Sequence, residues 1–476
     1  MDGGMLSVGI DIGTYTTQVV FSRLKVKNTA APYTIPHIVI AEKEIVHRGQ
    51  VHLTPLHSRA LIDGEAIRRI VEGEYAAAGV GKQMVETGAV IITGESACKE
   101  NAREVLEKLA DFAGDFVVSS AGPDMEGVIA GKGSGACRFS EEESTDVVNL
   151  DIGGGTTNLA FFSCGEDAGT ACYDVGGRLV RLDGEMRVTY LSPAAAAAAE
   201  DALVSLREGE RTDERALRRL AQRMARLLEE ALGLAERSAL LRRLLTKGSS
   251  AYSPAKRPRA VCFSGGVSEY VYRTEENAFL HGDIGVLLGR AIRESGILGA
   301  FELVRPEETI QATVVGAGSY TTELSGSTVD FSPALLPMKN VPVLKLTPAE
   351  EDTLWQGSGD TAAARIKWFL AQQGAERLAL ALTGRPSPRY DEVRSLAAGL
   401  ANAFDRALAR GAPAVVVLEH DMAKALGQAL RRSFSSGRAC LCIDSVRMHR
   451  GDFIDLGQPV AENAAIPVVI KTLIFG

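Results

Sequence analysis

Leu150-Asp151-Ile152-Gly153-Gly154-Gly155-Thr156-Thr157-Asn158 is the stretch whose reading decides the fold of this chain. The apolar residues around its start (Val147, Val148, Leu150 and Ile152) read as a buried strand that carries Asp151 to its end. Three glycines then allow a tight turn at positive φ, and two hydroxyl side chains follow. Leu159, Ala160, Phe161 and Phe162 read as a second strand, so the unit is strand, glycine turn, strand. A P-loop runs instead from strand into helix, and its G-x-x-x-x-G-K-[ST] pattern occurs nowhere in the chain. A turn without side chains at its tip exposes consecutive backbone N–H groups, a cradle for phosphate oxygens. The carboxylate beside it can hold a divalent cation through water. Taken alone, the stretch reads equally as an ordinary hairpin with a capping aspartate.

The other end of the sequence changes the balance. Val8 to Val20 runs Val-Gly-Ile-Asp-Ile-Gly-Thr-Tyr-Thr-Thr-Gln-Val-Val, and superposing Asp11 on Asp151 gives D-I-G-x-x-T-T twice, 140 residues apart. Two such hairpins predict two similar half-molecules facing each other across a cleft. A nucleotide between them would have its phosphates clamped from both sides.

The totals set limits. A chain of 476 residues holds two or three domains. A net charge of −8 argues against nucleic acid or an anionic membrane as the main partner. The seven cysteines form no C-x-x-C pair and no zinc pattern, as in a reducing cytoplasm, and Cys440 and Cys442 read as buried strand residues. Met1 to Met5 lacks the regions of a signal peptide, and no apolar run is long enough to span a bilayer. A soluble cytoplasmic protein is expected. His37, His47, His52 and His57 lack metal-ligand spacing on one helix face and read as surface or turn residues.

Along the chain, residues 61–73 have helical periodicity with Asp63 as a capping residue. Residues 88–94 read as a strand, 95–113 as an amphipathic helix, and 116–118 as another strand. Residues 119–131 place Asp124 and Glu126 at the start of a small-residue helix, which in a two-lobed design crosses between the lobes. Either carboxylate could bind metal or orient water, or merely cap the helix. Ser192-Pro193 opens an alanine-rich helix, and 212–243 is a long helical region with an arginine- and glutamate-laced solvated face. Ala260 to Glu269 gives strand, Gly265-Gly266 turn and helix start, where paired glycines let backbone approach a flat ligand. Residues 313–319 read as the second crossing helix. From about residue 341, strands (341–346, 377–382, 414–418, 439–443) alternate with helices (361–371, 390–409, 421–434), as in a separate α/β unit without a phosphate loop of its own. This unit reads as partner-facing or regulatory.

In this order the elements resemble the actin, sugar-kinase and heat-shock-chaperone ATPase superfamily. The resemblance rests on Asp11–Gln18, Ser119–Gly131, Leu150–Asn158, Phe263–Glu269 and Val314–Ser319, covering residues 1 to about 325. Ala121-Gly122-Pro123 stands where the chaperones have Asn-Glu-Pro, and Pro-Asp-Met there is similar to the metal-binding aspartate segment of cobalamin-enzyme reactivases. The opening Val-Gly-Ile-Asp-Ile-Gly-Thr, the Asp151–Asn158 motif, Phe263–Glu269, Gly282–Arg290 and the ending Gly451–Gly476 resemble, over the full length, the ethanolamine ammonia-lyase reactivating factors of the EutA family.

That resemblance implies an α/β, two-lobed actin-like ATPase fold with ribonuclease H-like lobes and a C-terminal α/β module. The expected divisions are 1–146, 147–330 with a helical insertion at about 192–258, and 331–476. It implies ATP and Mg²⁺ as cofactors and the large and small subunits of ethanolamine ammonia-lyase as partners. Neither nucleic acid nor membrane is among the expected partners. The expected task is ATP-dependent release of damaged cobalamin, in the cytoplasm or beside an ethanolamine-utilisation microcompartment. No D-x-H-x-x-G cobalamin-ligand motif is present. By this reading Asp11 and Asp151, with Asp124, hold Mg²⁺, and Glu126 is a further catalytic candidate. Gly13, Thr14, Thr16, Gly153, Gly154, Gly155, Thr156 and Thr157 bind phosphates, while Gly265, Gly266 and Glu269 line the adenosine pocket. A small-molecule kinase with Asp124 as base, or an ATP-dependent filament or scaffold protein, are the alternatives. The oligomeric state, homo-oligomer included, is left open.

Overall fold

One five-strand plan is built twice in the computed structural model. The structure describes residues 4–28, 38–58, 61–94, 96, 99–109, 118–120, 123–252, 254, 256–320, 322–325, 329–373, 375–434, 437–448, 452–459 and 466–472. Ala121, Gly122, parts of the expected helix 95–113 and strand 116–118, and much of the ending 451–476 lie outside the described residues. The first lobe contains β1 (Gly4–Ile12), β2 (Thr16–Asn28), β3 (Ile38–Arg48), β4 (His52–Leu53), β5 (Thr87–Ile92) and β6 (Val118–Ser120). Its sheet order is β3-β2-β1-β5-β6, with β4 paired to β2. The second lobe contains β7 (Asp146–Ile152), β8 (Thr157–Ser163), β9 (Glu166–Tyr173), a ribbon of β10 (Val180–Leu182) and β11 (Val188–Leu191), then β12 (Ala260–Ser264) and β13 (Glu302–Val304). Its order is β9-β8-β7-β12-β13, the same plan strand for strand. In each lobe a three-strand antiparallel meander comes first, and its first strand then pairs in parallel with the fourth. Two ribonuclease H-like lobes of this order make the actin-like ATPase fold.

The central strands are covered on both faces, which explains their near-continuous apolar runs. Val8, Ile10 and Ile12 of β1, and Val148, Leu150 and Ile152 of β7, are fully buried.

Two helices exchange places between the lobes. The helix Pro123–Gly133 follows the last strand of the first lobe yet packs against β7, β8 and β9. The helix Ala312–Tyr320 follows β13 yet packs against β1, β2 and β5. They cross where neither carries a side chain. A Cβ on Gly133 would lie 1.9 Å from the Ala312 carbonyl oxygen, and one on Gly316 would lie 2.1 Å from that of Ile129. The small residues of these helices, read from the sequence as a crossing, are what permits the backbones to touch.

Helix ends follow the capping chemistry. Asp63 accepts from the Ala66 N–H at 2.9 Å and starts Gly64–Ala78, and Ser192 accepts from Ala195 at 3.0 Å and starts Pro193–Asp201. The expected helix 212–243 is two helices, Glu214–Ala231 and Ala239–Arg243. Gly233, at φ +76°, ends the first, and Ser238 caps the second. His47 and His52, expected as surface or turn residues, are partly exposed and share a carboxylate. Their Nε2 atoms meet the buried Glu74 carboxylate at 3.3 and 2.6 Å, because β3 and β4 both run past the helix that carries it.

A third sheet closes the chain: β14 (Thr322–Leu324), β15 (Asp330–Phe331), β16 (Met338–Lys345), β17 (Ala379–Leu382), β18 (Ala414–Leu418), β19 (Cys440–Ile443), β20 (Asp452–Leu456) and β21 (Pro467–Thr472). Its order is β14-β21-β20-β16-β17-β18-β19-β15, and β16 to β19 run parallel in chain order. The helices Asp360–Gln373, Tyr390–Ala407 and Ala423–Ser433 therefore pack on one face, over Leu380, Val416 and both Cys440 and Cys442. Pro348–Trp355 is a helix that the alternation did not predict, although Thr347 and Glu350 form a capping box around Pro348. Among the described residues no helix is long and apolar enough to cross a membrane.

Replacing Gly316 or Gly133 with alanine forces the crossing helices apart and is expected to cost about 3 kcal/mol, the upper range for overpacking. Thermal denaturation checks this: both variants melt lower than the parent. Gly184→Ala, at a site with no atom within 4 Å, leaves the melting temperature unchanged.

Candidate functional site

The tips of the two phosphate-type hairpins border one cavity of about 440 Å³, inside the range of small-molecule sites, roughly 300–1,000 Å³. The hairpins are built alike. The Gly13 N–H donates to the Thr16 carbonyl at 2.9 Å, and the Gly153 N–H to that of Thr156 at 2.9 Å. Each aspartate accepts a hydroxyl from the end of the neighbouring strand: Thr93 to Asp11 at 3.0 Å, and Ser264 to Asp151 at 2.7 Å. Each of those hydroxyl residues precedes a glycine at positive φ, Gly94 at +58° and Gly265 at +83°. Register places Gln18 across the hairpin from Asp11 and Asn158 across from Asp151. The repeated sequence thus produces a repeated site.

Both aspartates are buried. Burial pushes Asp11 up to about 7, against the Thr93 hydrogen bond, with the charge of Asp151 adding to the rise. Burial likewise pushes Asp151 up to about 6, against hydrogen bonds from Ser264 and Thr313. Glu126 also faces the cavity, and burial followed by the charges of Asp11 and Asp151 holds its carboxyl well above the usual range. Three carboxylates converging on one space repel each other unless a cation or protons join them. The buried Gln18 Oε1 and Asn158 Oδ1 have no hydrogen-bond partner among the described residues. This all-oxygen donor set suits a hard divalent cation. Among the described residues no three acidic, histidine or cysteine side chains come close enough to hold an ion by themselves.

Most of the expected residues meet here. Asp11, Gly13, Thr14 and Thr16 line the cavity from the first lobe, and Asp151, Gly153, Gly154, Gly155 and Thr156 from the second. Glu126, Gly265 and Gly266 line it as well, and Gly266 has open space where a Cβ would stand. Three expected residues are not brought in. The Asp124 carboxylate accepts from the hydroxyls of Ser249 and Ser250 at 2.8 and 2.9 Å, and from the Ser250 N–H at 3.1 Å. Its place in the first helical turn turns it toward the 246–252 loop, two residues from Glu126, which faces inward. The buried Thr157 hydroxyl donates to the Val175 carbonyl at 2.7 Å. Glu269 accepts from the Thr309 hydroxyl and pairs with Arg273.

Thr93 and Ser264 were missed, although Thr93-Gly94 and Ser264-Gly265 are the same dipeptide type after corresponding strands. Also missed was Arg178, which lines the cavity with its Nε 3.1 Å from Asp283. Arg178 and Arg181 both lie over the Tyr15 ring, 5.4 and 4.9 Å from its centroid. Tyr15 reaches from the first hairpin onto the second: a Cβ on Gly154 would lie 2.5 Å from its Cδ2. No local pattern singles out Arg178 or Tyr15, since their meeting depends on how the lobes face.

The family described as "Ethanolamine utilisation protein EutA" matches residues 3–476. This chain belongs to the EutA family. It is 37% identical over 478 positions to "Ethanolamine ammonia-lyase reactivase EutA" of Salmonella typhimurium, covering 99% of this chain and 98% of that protein. To the protein of the same name from Escherichia coli it is 36% identical over 483 positions, with 99% and 98% covered. Among solved structures, an Aquifex aeolicus member of the Ppx/GppA family is similar at 16% identity and a TM-score of 0.37, over 66% of this chain and 88% of that one. The family match takes in both lobes and the third sheet alike.

The raised Asp11 sets an expectation for the protein without nucleotide or Mg²⁺. Folded Asp11 titrates near 7 and unfolded Asp11 near 3.8, so the folded state holds the extra proton in between. Its stability is complete below about pH 4 and falls as pH rises through 7. Asp11→Asn removes that loss. Three pKa units set a ceiling of about 4 kcal/mol, and water in the open cavity reduces it to about 2 kcal/mol. The variant is expected to melt above the parent at pH 8 and together with it near pH 4.

Proposed function

We propose that this chain is an ATP-dependent reactivating factor for ethanolamine ammonia-lyase. The carrying observation is the doubled hairpin with its inward carboxylates, in a chain that matches the EutA family from end to end. Backbone N–H groups of Gly13, Thr14 and Gly153 to Gly155, with the hydroxyls of Thr14, Thr16 and Thr156, would hold phosphate oxygens. Gly265 and Gly266 offer bare backbone to the adenosine. Asp11, Asp151 and Glu126 would hold Mg²⁺ through water. When bound, the ion neutralises charge on the phosphates, which is most of what phosphoryl transfer requires. Arg178 brings a fixed cation to the same space, positioned by Asp283. The lobes close and reopen on the exchanged helices, giving two states that differ in affinity for the client enzyme. The client is the lyase, through its large and small subunits, with its damaged cobalamin as cargo. The working place is the cytoplasm or the margin of an ethanolamine-utilisation microcompartment.

A kinase of the same fold would need a base in the cleft, and the aspartate on which that reading depends is tied to Ser249 and Ser250 outside it.

The test is recovery of deamination by lyase inactivated with hydroxocobalamin, on adding this protein, ATP, Mg²⁺ and fresh adenosylcobalamin. Recovery is expected with the parent, with none in the absence of ATP and a loss of at least about a hundredfold in Asp11→Ala or Asp151→Ala. Absence of recovery by a folded parent that binds ATP would overturn the assignment.

A further inference from the structure

Charge is distributed unevenly in this protein. The whole chain has 52 basic and 60 acidic residues, but residues 238–259 hold six bases (Arg242, Arg243, Lys247, Lys256, Arg257 and Arg259) and no acid. All six are exposed. Among the described residues only Arg259 pairs with a carboxylate, that of Glu302. A solvated helix face intersperses its charges, as Arg218 with Glu214 and Arg226 with Glu229 do on the preceding helix. A run of one sign is a different thing, and in a chain of net charge −8 it works against the overall field.

The segment is also fixed in place. Its residues 245–251 lie along the free edge of β9, bridging Tyr173 with Leu245 and Ala171 with Ala251, while the Arg259 N–H donates to the Asp146 carbonyl at the start of β7 at 2.9 Å. The Thr246 hydroxyl donates to Asp174 at 2.7 Å, and the Tyr252 N–H to the Thr170 carbonyl at 3.2 Å. Ser249 and Ser250 then grip Asp124 at the start of the exchanged helix Pro123–Gly133. Two residues further along that helix, Glu126 faces the nucleotide cavity. The basic surface is thus tied to the element that must shift when the lobes change their separation.

We infer that residues 238–252 and 256–259 form a docking surface for an acidic patch on a protein partner, tied to the nucleotide site through the Asp124–Ser249–Ser250 contact. Resting on the proposed function, the partner is the client lyase. Cations presented on a rigid edge favour orientation and fast association over raw affinity. Because the edge moves with the exchanged helix, nucleotide changes its presentation and so the client affinity.

Two charge-reversed full-length proteins test this, Arg242→Glu/Arg243→Glu and Lys256→Glu/Arg257→Glu, alongside Ser249→Ala/Ser250→Ala. Binding to immobilised lyase is measured with and without MgATP at low and moderate salt, with reactivation and ATP binding as parallel readings. The charge-reversed proteins are expected to bind lyase roughly tenfold more weakly or worse, with a flatter salt dependence and unchanged ATP affinity. The serine variant is expected to keep lyase binding and lose its response to MgATP. Parental lyase affinity and salt dependence in both charge-reversed proteins would overturn the inference while leaving the reactivase assignment intact. Loss of duplex DNA binding without change in lyase binding would also overturn it, in favour of a nucleic-acid surface. If the parent itself neither binds nor reactivates the lyase, both readings fall together, and that outcome is distinct from the other two.

Discussion

The structure depends on one close approach, the crossing of Pro123–Gly133 and Ala312–Tyr320 with backbone against backbone at Gly133 and Gly316. Each helix leaves its own lobe and packs under the other's sheet. The two backbones meet there, and Ile129 and Ala317, one from each helix, pack together beside the contact. The same helices deliver Glu126 and Thr313 to the cavity. The contact between the lobes and the lining of the cavity therefore share the same two helices. The third sheet is tied in too, since β14 begins two residues past the Ala312–Tyr320 helix and pairs with β21.

A second constraint is electrostatic. Folding places Asp11, Asp151 and Glu126 around one space, where burial raises all three carboxyls above their ordinary values and the neighbouring carboxylates add to the rise at Asp11 and Glu126. Thr93 and Ser264 each donate a hydrogen bond that opposes this without cancelling it. A core built only for stability has no use for such a group of acids. That repulsion, with two unpartnered side-chain oxygens beside it, would be relieved by a cation or by protons.

Much of this was legible in the sequence, for a physical reason. Glycine turns, strand periodicity and capping residues act over a few neighbours, so the D-I-G-x-x-T-T repeat, Gly265-Gly266, Asp63 and Ser192-Pro193 announced themselves locally. What failed to show depends on the direction a helical residue takes. Asp124 and Glu126 are two apart on one helix, where side chains lie about 200° apart. Only the docked helix decides which one enters the cavity, and it admits Glu126. Thr157 failed for the matching reason in a strand: its neighbour Thr156 faces the ligand space, and its own hydroxyl is spent on Val175. Glu269 is drawn off by Thr309 and Arg273. The pairing of His47 and His52 did not show because the carboxylate they share, Glu74, comes from a helix more than 20 residues away.

The two halves are repeats with one instructive difference. The first tip carries Thr14 and Tyr15 where the second has Gly154 and Gly155. A side chain at position 154 would collide with the Tyr15 ring, so the bare tip is shaped for what the other tip brings. Tyr15 also lies under Arg178 and Arg181, both from the second lobe. The hairpins therefore touch each other through an aromatic ring as well as facing a common ligand space. Any widening of the cleft must pull Tyr15 from beneath two guanidinium groups, and any ligand that draws Arg178 inward must do the same. The difference at two positions in otherwise matching hairpins thus makes each tip sensitive to the other's distance.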